Sequence, residues 1–217
     1  MPKKKVKTPI FERIKHEHID ALQEMGNIGS GHAASALAEI LSRRINMSLP
    51  RFSLLSTPDL STVKWRGKEL DKPFATVIVE TKGELRMDII VVFDQETTQT
   101  IIDLISPSPN KIELNELTSF HKSVILEVGN ILALNYLTAI NNFIGISSSI
   151  PASPLLIVES TETILTSIAT YLHPDFSYLL LVEVDIFTSD TTLSPLVILI
   201  PEEATVERSL RMLFGGK

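Results

Sequence analysis

Two acid–amide pairs are the residues in this chain best placed to do chemistry. Glu24 precedes Asn27 by three residues, and Glu127 precedes Asn130 by the same interval. A glycine, Gly26 or Gly129, stands immediately before each Asn. The full copies read Asp20-Ala-Leu-Gln-Glu24-Met-Gly-Asn27 and Ser123-Val-Ile-Leu-Glu127-Val-Gly-Asn130, 103 positions apart. An Asn amide cannot serve as a general base near neutral pH, but it both donates and accepts hydrogen bonds. Residues three apart lie about one helical turn from each other, so each Glu and Asn share a helix face. Two such faces in one chain imply a duplicated protein that presents a polar pair to a partner. Taken singly, an outward Glu/Asn pair is an ordinary solvated surface. Its retention with glycine in two otherwise divergent halves is what sets it apart.

The elements that must position these pairs also repeat. Amphipathic helices are predicted from about Glu17 to Ile45 and from about Leu117 to Ile144. On a wheel of about 100° per residue, Leu22, Met25, Gly29, Ala33, Ala36, Leu37 and Ile40 oppose Glu24. In the second helix Ile125, Val128, Leu132, Tyr136, Ala139, Ile140 and Phe143 oppose Glu127. These stripes predict the core-facing side, so Glu and Asn face outward. Ile28 and Ile131 lie beside the polar pairs, where they either touch a partner or are covered by a neighbouring loop. Gly29 reads as tight helix–sheet packing. Gly31, on the exposed side, leaves room for a docking partner.

Each helix is followed by a proline-marked stretch, Pro50 to Pro58 and Pro151 to Pro154. Strands with one buried face are predicted at 74–80, 85–93, 163–171, 177–188 and 193–200. A shorter helix closes each half, opening with acidic residues that suit the helix dipole, at Asp94 and at Pro201-Glu-Glu. The expected fold class is α+β: two helix–strands–helix units with pseudo-two-fold symmetry, a mainly antiparallel sheet and two long helices. The repeats run over 12–106 and 115–214, with the joint at Ser106 to Asn110. One merged domain over 1–217 is expected, because each half alone has too small a core.

Composition narrows the function classes. An apolar share of 44% and a charged share of 21% suit a globular protein with a proper core. The formal net charge of −6 speaks against general nucleic-acid binding. The chain has no cysteine, which removes thiolate metal sites and Cys nucleophiles and agrees with a cytoplasmic location. No apolar run reads as a membrane span, the longest being the strand-like segment from Tyr178, so no membrane insertion is expected. The basic residues of 1–9 read as a disordered tail.

At the Glu/Asn helices the chain resembles the CheC family of chemotaxis phosphatases, which includes CheX and FliY, and is most similar to CheC. The family pattern is Asp or Ser, three residues, Glu, two residues, Asn, then 22 residues and Pro. Asp20, Glu24, Asn27 and Pro50 fit it throughout, and Ser123, Glu127 and Asn130 fit its first part. The second Pro would fall at Ser153, His32 stands where a small polar residue is usual, and Leu134 replaces a small residue.

The resemblance implies dephosphorylation of the aspartyl phosphate of CheY, the chemotaxis response regulator. Glu24, Asn27, Glu127 and Asn130 would be catalytic. Asn would hold a water in line with phosphorus while Glu pairs with the receiver's lysine. Asp20, Ser123, Ile28, Ile131 and Gly31 would support docking. The protein needs no cofactor or metal of its own, since Mg²⁺ comes with the phosphorylated receiver. The family also binds the receptor deamidase CheD, so a non-enzymatic CheD adaptor is the competing reading; a motor-switch component is a third.

Other polar residues carry weaker signals. His16, His18, His121 and His173 form no metal-binding pattern, and His32 falls at the edge of the exposed face. Asp88, Glu183 and Asp185 are expected on the open face of the sheet. Trp65, among Lys64, Arg66 and Lys68, reads as a solvent-exposed hairpin tip.

Overall fold

The structure is a computed structural model that describes residues 16–56, 64–65, 68–69, 71–84, 86–107, 111–145, 148–149, 153–167 and 178–202. The basic tail and most of the predicted closing helix after Pro201 lie outside the described residues, as do Arg66 and His173.

Both long helices are present, α1 over His16–Leu41 and α3 over Ser119–Ile144. Between them, α2 spans Gln95–Ile105, capped by Asp94, whose carboxylate accepts the Thr97 N–H at 2.8 Å. Thr118 caps α3. Its hydroxyl accepts the His121 N–H at 3.2 Å, while its own N–H donates to His121 Nδ1. Gly145 ends α3 in the left-handed region at φ 73°.

Six strands form one antiparallel sheet: β1 (Arg51–Ser56), β2 (Pro73–Glu80), β3 (Met87–Phe93), β4 (Leu155–Ser160), β5 (Tyr178–Glu183) and β6 (Leu196–Pro201). Their order is β1-β5-β6-β3-β2-β4. Exchanging the halves reverses this order and leaves it unchanged, which is the signature of a pseudo-two-fold axis normal to the sheet. The axis passes between β3 and β6, where Ile90 pairs with Ile198 and Val91 with Val197. Each half lends its first strand to the other: β1 pairs with β5, and β4 pairs with β2. The sheet is thus merged across the repeat.

Both sheet faces are covered, which corrects the expectation of one open face. Val77, Val79, Ile89, Val91, Val197 and Leu199 pack beneath α1 and α3 with Met25, Leu37, Ile125 and Leu132. On the opposite face Phe74, Ile90, Val92, Leu181 and Ile198 pack with Trp65, Ile164 and Leu165. Trp65 does lie in a short hairpin, Lys64–Trp65 with Lys68–Glu69, but it is buried and its ring sits 6.0 Å from that of Phe74. Its apolar area outweighs its cationic surroundings in sequence.

Asp88 is likewise buried. Glu183 pairs across strands with Arg51 at 3.6 Å, and Asp185 accepts the Ser194 hydroxyl at 2.7 Å.

The predicted strand at 163–171 is replaced, over its described part, by α4, Thr161–Ser167. Ser160 accepts the Thr163 N–H at 3.1 Å and so starts a helical turn. Ile164 and Leu165, consecutive yet both buried, fit a helix better than a strand with one buried face. The strands predicted at 177–188 and 193–200 are each interrupted. Ile186–Phe187 leaves the main sheet to pair with Asn46–Met47 and Thr192–Leu193.

The stretch Ser119–Asn142 of α3 has the length and composition of a membrane span, contrary to the expectation that none exists. In the fold it is a core helix, packed on β2, β3 and β4 and against α1 and α2.

Candidate functional site

A two-fold axis normal to the sheet makes the two long helices on its face antiparallel. Their contact bears this geometry out: a Cβ on Gly29 would lie 3.2 Å from that of Ala139 and 3.3 Å from the Tyr136 ring. The Ser30 hydroxyl hydrogen-bonds the Tyr136 hydroxyl at 3.1 Å between the helices. Gly29 therefore serves helix–helix packing rather than the helix–sheet contact expected from the wheel. Burial raises the Tyr136 phenol to about 12, and the Ser30 hydrogen bond partly offsets that shift. This buried bond fixes the register of the two motif-bearing helices.

The glycine within each motif brings its helix close to a strand. A Cβ on Gly26 would lie 2.6 Å from the tip of the Phe52 ring and 2.7 Å from Pro50 Cγ. A Cβ on Gly129 would lie 2.6 Å from Val77 Cγ2 and 2.7 Å from Val77 Cβ. Pro50, the distal proline of the pattern, is thus a packing partner of Gly26. At the corresponding position in the second half, Ser153 is exposed.

With glycine turned to the sheet, the polar pair turns away. Glu24 and Glu127 are exposed, and Asn27 and Asn130 are half-buried at the edge of each outward face. Among the described residues, no hydrogen bond or ion pair ties up these four side chains. The antiparallel arrangement places the pairs toward opposite ends of the helix pair, about 20 Å apart along the axes at 1.5 Å per residue.

The flanking residues are less symmetrical. Ile28 is 41% exposed, whereas Ile131 is 8% exposed and belongs to the buried core. Gly31 is exposed with open space where a Cβ would stand, and His32 beside it is exposed. Ser123 is exposed and donates to the Ser119 carbonyl at 2.9 Å. Asp20 lies on α1, one turn before Glu24, but its side chain is outside the described residues. On the apolar stripe Met25, Ala33 and Leu37 are buried as predicted, but Ile40 is exposed and its neighbour Leu41 is buried instead.

Among the described residues no cluster of three or more His, Asp or Glu side chains is disposed to hold a metal.

Sequence reasoning missed two positioning groups. Gln95 and Gln99 of α2 hold the segment that leads into α3. Gln99 accepts the Ile112 N–H at 2.6 Å, and Gln95 both donates to the Ile112 carbonyl and accepts the Leu114 N–H. Their spacing of four residues on one helix face was the available signal.

Known proteins resemble this chain in sequence over part of its length and in fold over most of it. A model of the CheC-like family matches residues 17–54, from the start of α1 into β1. The CheY-P phosphatase CheC of Bacillus subtilis (strain 168) is 37% identical over 133 residues, covering 60% of this chain and 62% of that protein. The match thus spans less than two thirds of that relative's length. FliY from Thermotoga maritima superposes with a TM-score of 0.71 over 94% of this chain and 100% of its own, at 19% identity. The FliM middle domain from H. pylori reaches 0.64 over 90% of this chain and 99% of its own, at 8% identity. These two structures bear on the fold alone. The chain is thus similar to the CheC-like family over residues 17–54 and to a CheY-P phosphatase over 133 residues, and it shares its fold with FliY.

Proposed function

We propose that the chain is a protein aspartyl-phosphate phosphatase acting on a phosphorylated response regulator of the CheY type. The observation that carries this reading is the repeated presentation of an exposed Glu beside a half-buried Asn on two packed, register-fixed helices. The similarity to a CheY-P phosphatase supports it.

Phosphoryl transfer passes through a loose transition state, so positioning can supply much of the rate. In this reading Asn27 or Asn130 enters the receiver's site. Its amide accepts one hydrogen bond from the attacking water and aligns it with the phosphorus–oxygen bond that breaks. Glu24 or Glu127 pairs with a lysine of the receiver and sets the angle of approach. Gly26 and Gly129 hold the helix against the sheet, so that the Asn is carried on a rigid element. The receiver brings its own Mg²⁺ and the phosphorylated aspartate.

The test uses Glu24→Gln and Glu127→Gln together. Loss of the carboxylate charge should raise the KM for the phosphorylated regulator at least tenfold, and high salt should weaken the wild type in the same direction. Unchanged KM and salt dependence would remove the docking role. Capture of CheD by a chain that leaves regulator decay untouched would instead favour the adaptor reading.

A further inference from the structure

Resting on the phosphatase reading, we infer that Phe120 and Leu134 form an apolar docking rim that gives the second Glu/Asn face a tighter grip on the regulator than the first. Both residues lie seven positions from Glu127, one on either side, and seven positions is two turns of helix. Phe120, Glu127 and Leu134 therefore share one line along α3. Phe120 is 49% exposed and Leu134 38% exposed, so both offer apolar area to solvent on the face that carries the carboxylate.

The occupant follows from this continuity. A standard protein interface buries about 800 Å² per partner, a patch of roughly 16 Å radius. Phe120 and Leu134 lie only about 10 Å from Glu127 along the helix. A folded receiver seated on Glu127 and Asn130 thus covers both. Apolar area that the receiver removes from water on either side of Glu127 adds to the affinity of that face in proportion to the area buried.

The first face lacks this rim. The positions equivalent to Phe120 and Leu134 are Glu17 and Gly31. Gly31 offers no side chain, and the space where a Cβ would stand is open. Ile28, exposed beside Glu24, lies off this line by about 40° on the wheel. The two faces share their chemistry and differ in what surrounds it.

The experiment measures decay of the phosphorylated regulator with one face at a time. In an Asn27→Ala chain, where only the second face works, Phe120→Ala with Leu134→Ala should raise KM about tenfold and leave kcat within twofold. In an Asn130→Ala chain the same pair should shift KM less than twofold. Unchanged KM in the Asn27→Ala chain overturns the inference but leaves the phosphatase reading standing. A wild type that does not speed decay overturns that reading and the inference with it. Circular dichroism and an unchanged kcat guard against misfolding. A dimer of the free chain that dissolves on Phe120→Ala and Leu134→Ala would assign the rim to a second copy and overturn the proposal.

Discussion

Gly129 lies against Val77 so closely that a Cβ built on the glycine would stand 2.7 Å from the Cβ of the valine. The contact explains why glycine sits inside a catalytic-looking motif. It is a packing residue that lets α3 settle on β2 and holds Glu127 and Asn130 on the outer side. Gly26 has the same role against Pro50 and Phe52.

Alanine substitution separates these glycines. Gly129→Ala must displace the branch point of a buried valine on a central strand, and should lose about 1–3 kcal/mol despite its better helix propensity. Gly26→Ala meets the ends of two rings and should lose less. Gly31→Ala has open space and should gain about 0.5–1 kcal/mol. Urea unfolding measures all three. A Gly129→Ala chain as stable as Gly31→Ala would contradict the packing account.

The Ser30–Tyr136 bond makes an alkaline prediction. Tyr136 ionises near its ordinary value of 10.0 when unfolded and at about 12 when folded. The folded state therefore holds the proton more tightly. Its contribution is fully present below pH 10 and is lost as pH rises toward 12. Between these limits the wild type should lose roughly 2–3 kcal/mol more than Tyr136→Phe. Near pH 7 Tyr136→Phe should cost about 1 kcal/mol through the lost hydrogen bond. Parallel pH profiles for the two proteins would show that the phenol is not held neutral by burial.

The glutamine pair on α2 should protect the backbone ahead of α3. Gln95→Ala removes the acceptor of the Leu114 N–H, and Gln99→Ala that of the Ile112 N–H. Each should cost about 1–2 kcal/mol and speed exchange of the named amide at least tenfold. Exchange that stays at the wild-type rate in both variants would mean that other contacts hold this segment.

The polar pairs and the long helices were legible because they rest on local periodicity, repeated in two halves. Met25, Leu37, Ile125 and Leu132 follow the 3.6-residue stripe and are buried accordingly. What was not legible depends on distant chain. Among the described residues β1 and β4 are edge strands that pair in the sheet only with strands of the other half, and the prolines beside them concealed their pattern. Ile28 and Ile131 occupy equivalent positions and differ in exposure, a difference that local spacing does not encode. α4 was obscured by a Thr-rich, β-branched run that a serine cap turns into a helix. Trp65 looked exposed because its buried neighbour Phe74 lies across a hairpin.

The central claim is that Asn27 and Asn130 align the attacking water. It is tested most directly by the decay of phosphorylated CheY-type regulator with the wild type, Asn27→Ala, Asn130→Ala and the double variant. The account predicts acceleration by the wild type, partial loss in each single variant and at least a hundredfold loss of the acceleration in the double variant, about 2.7 kcal/mol of barrier. A folded double variant that speeds decay as well as the wild type would contradict it.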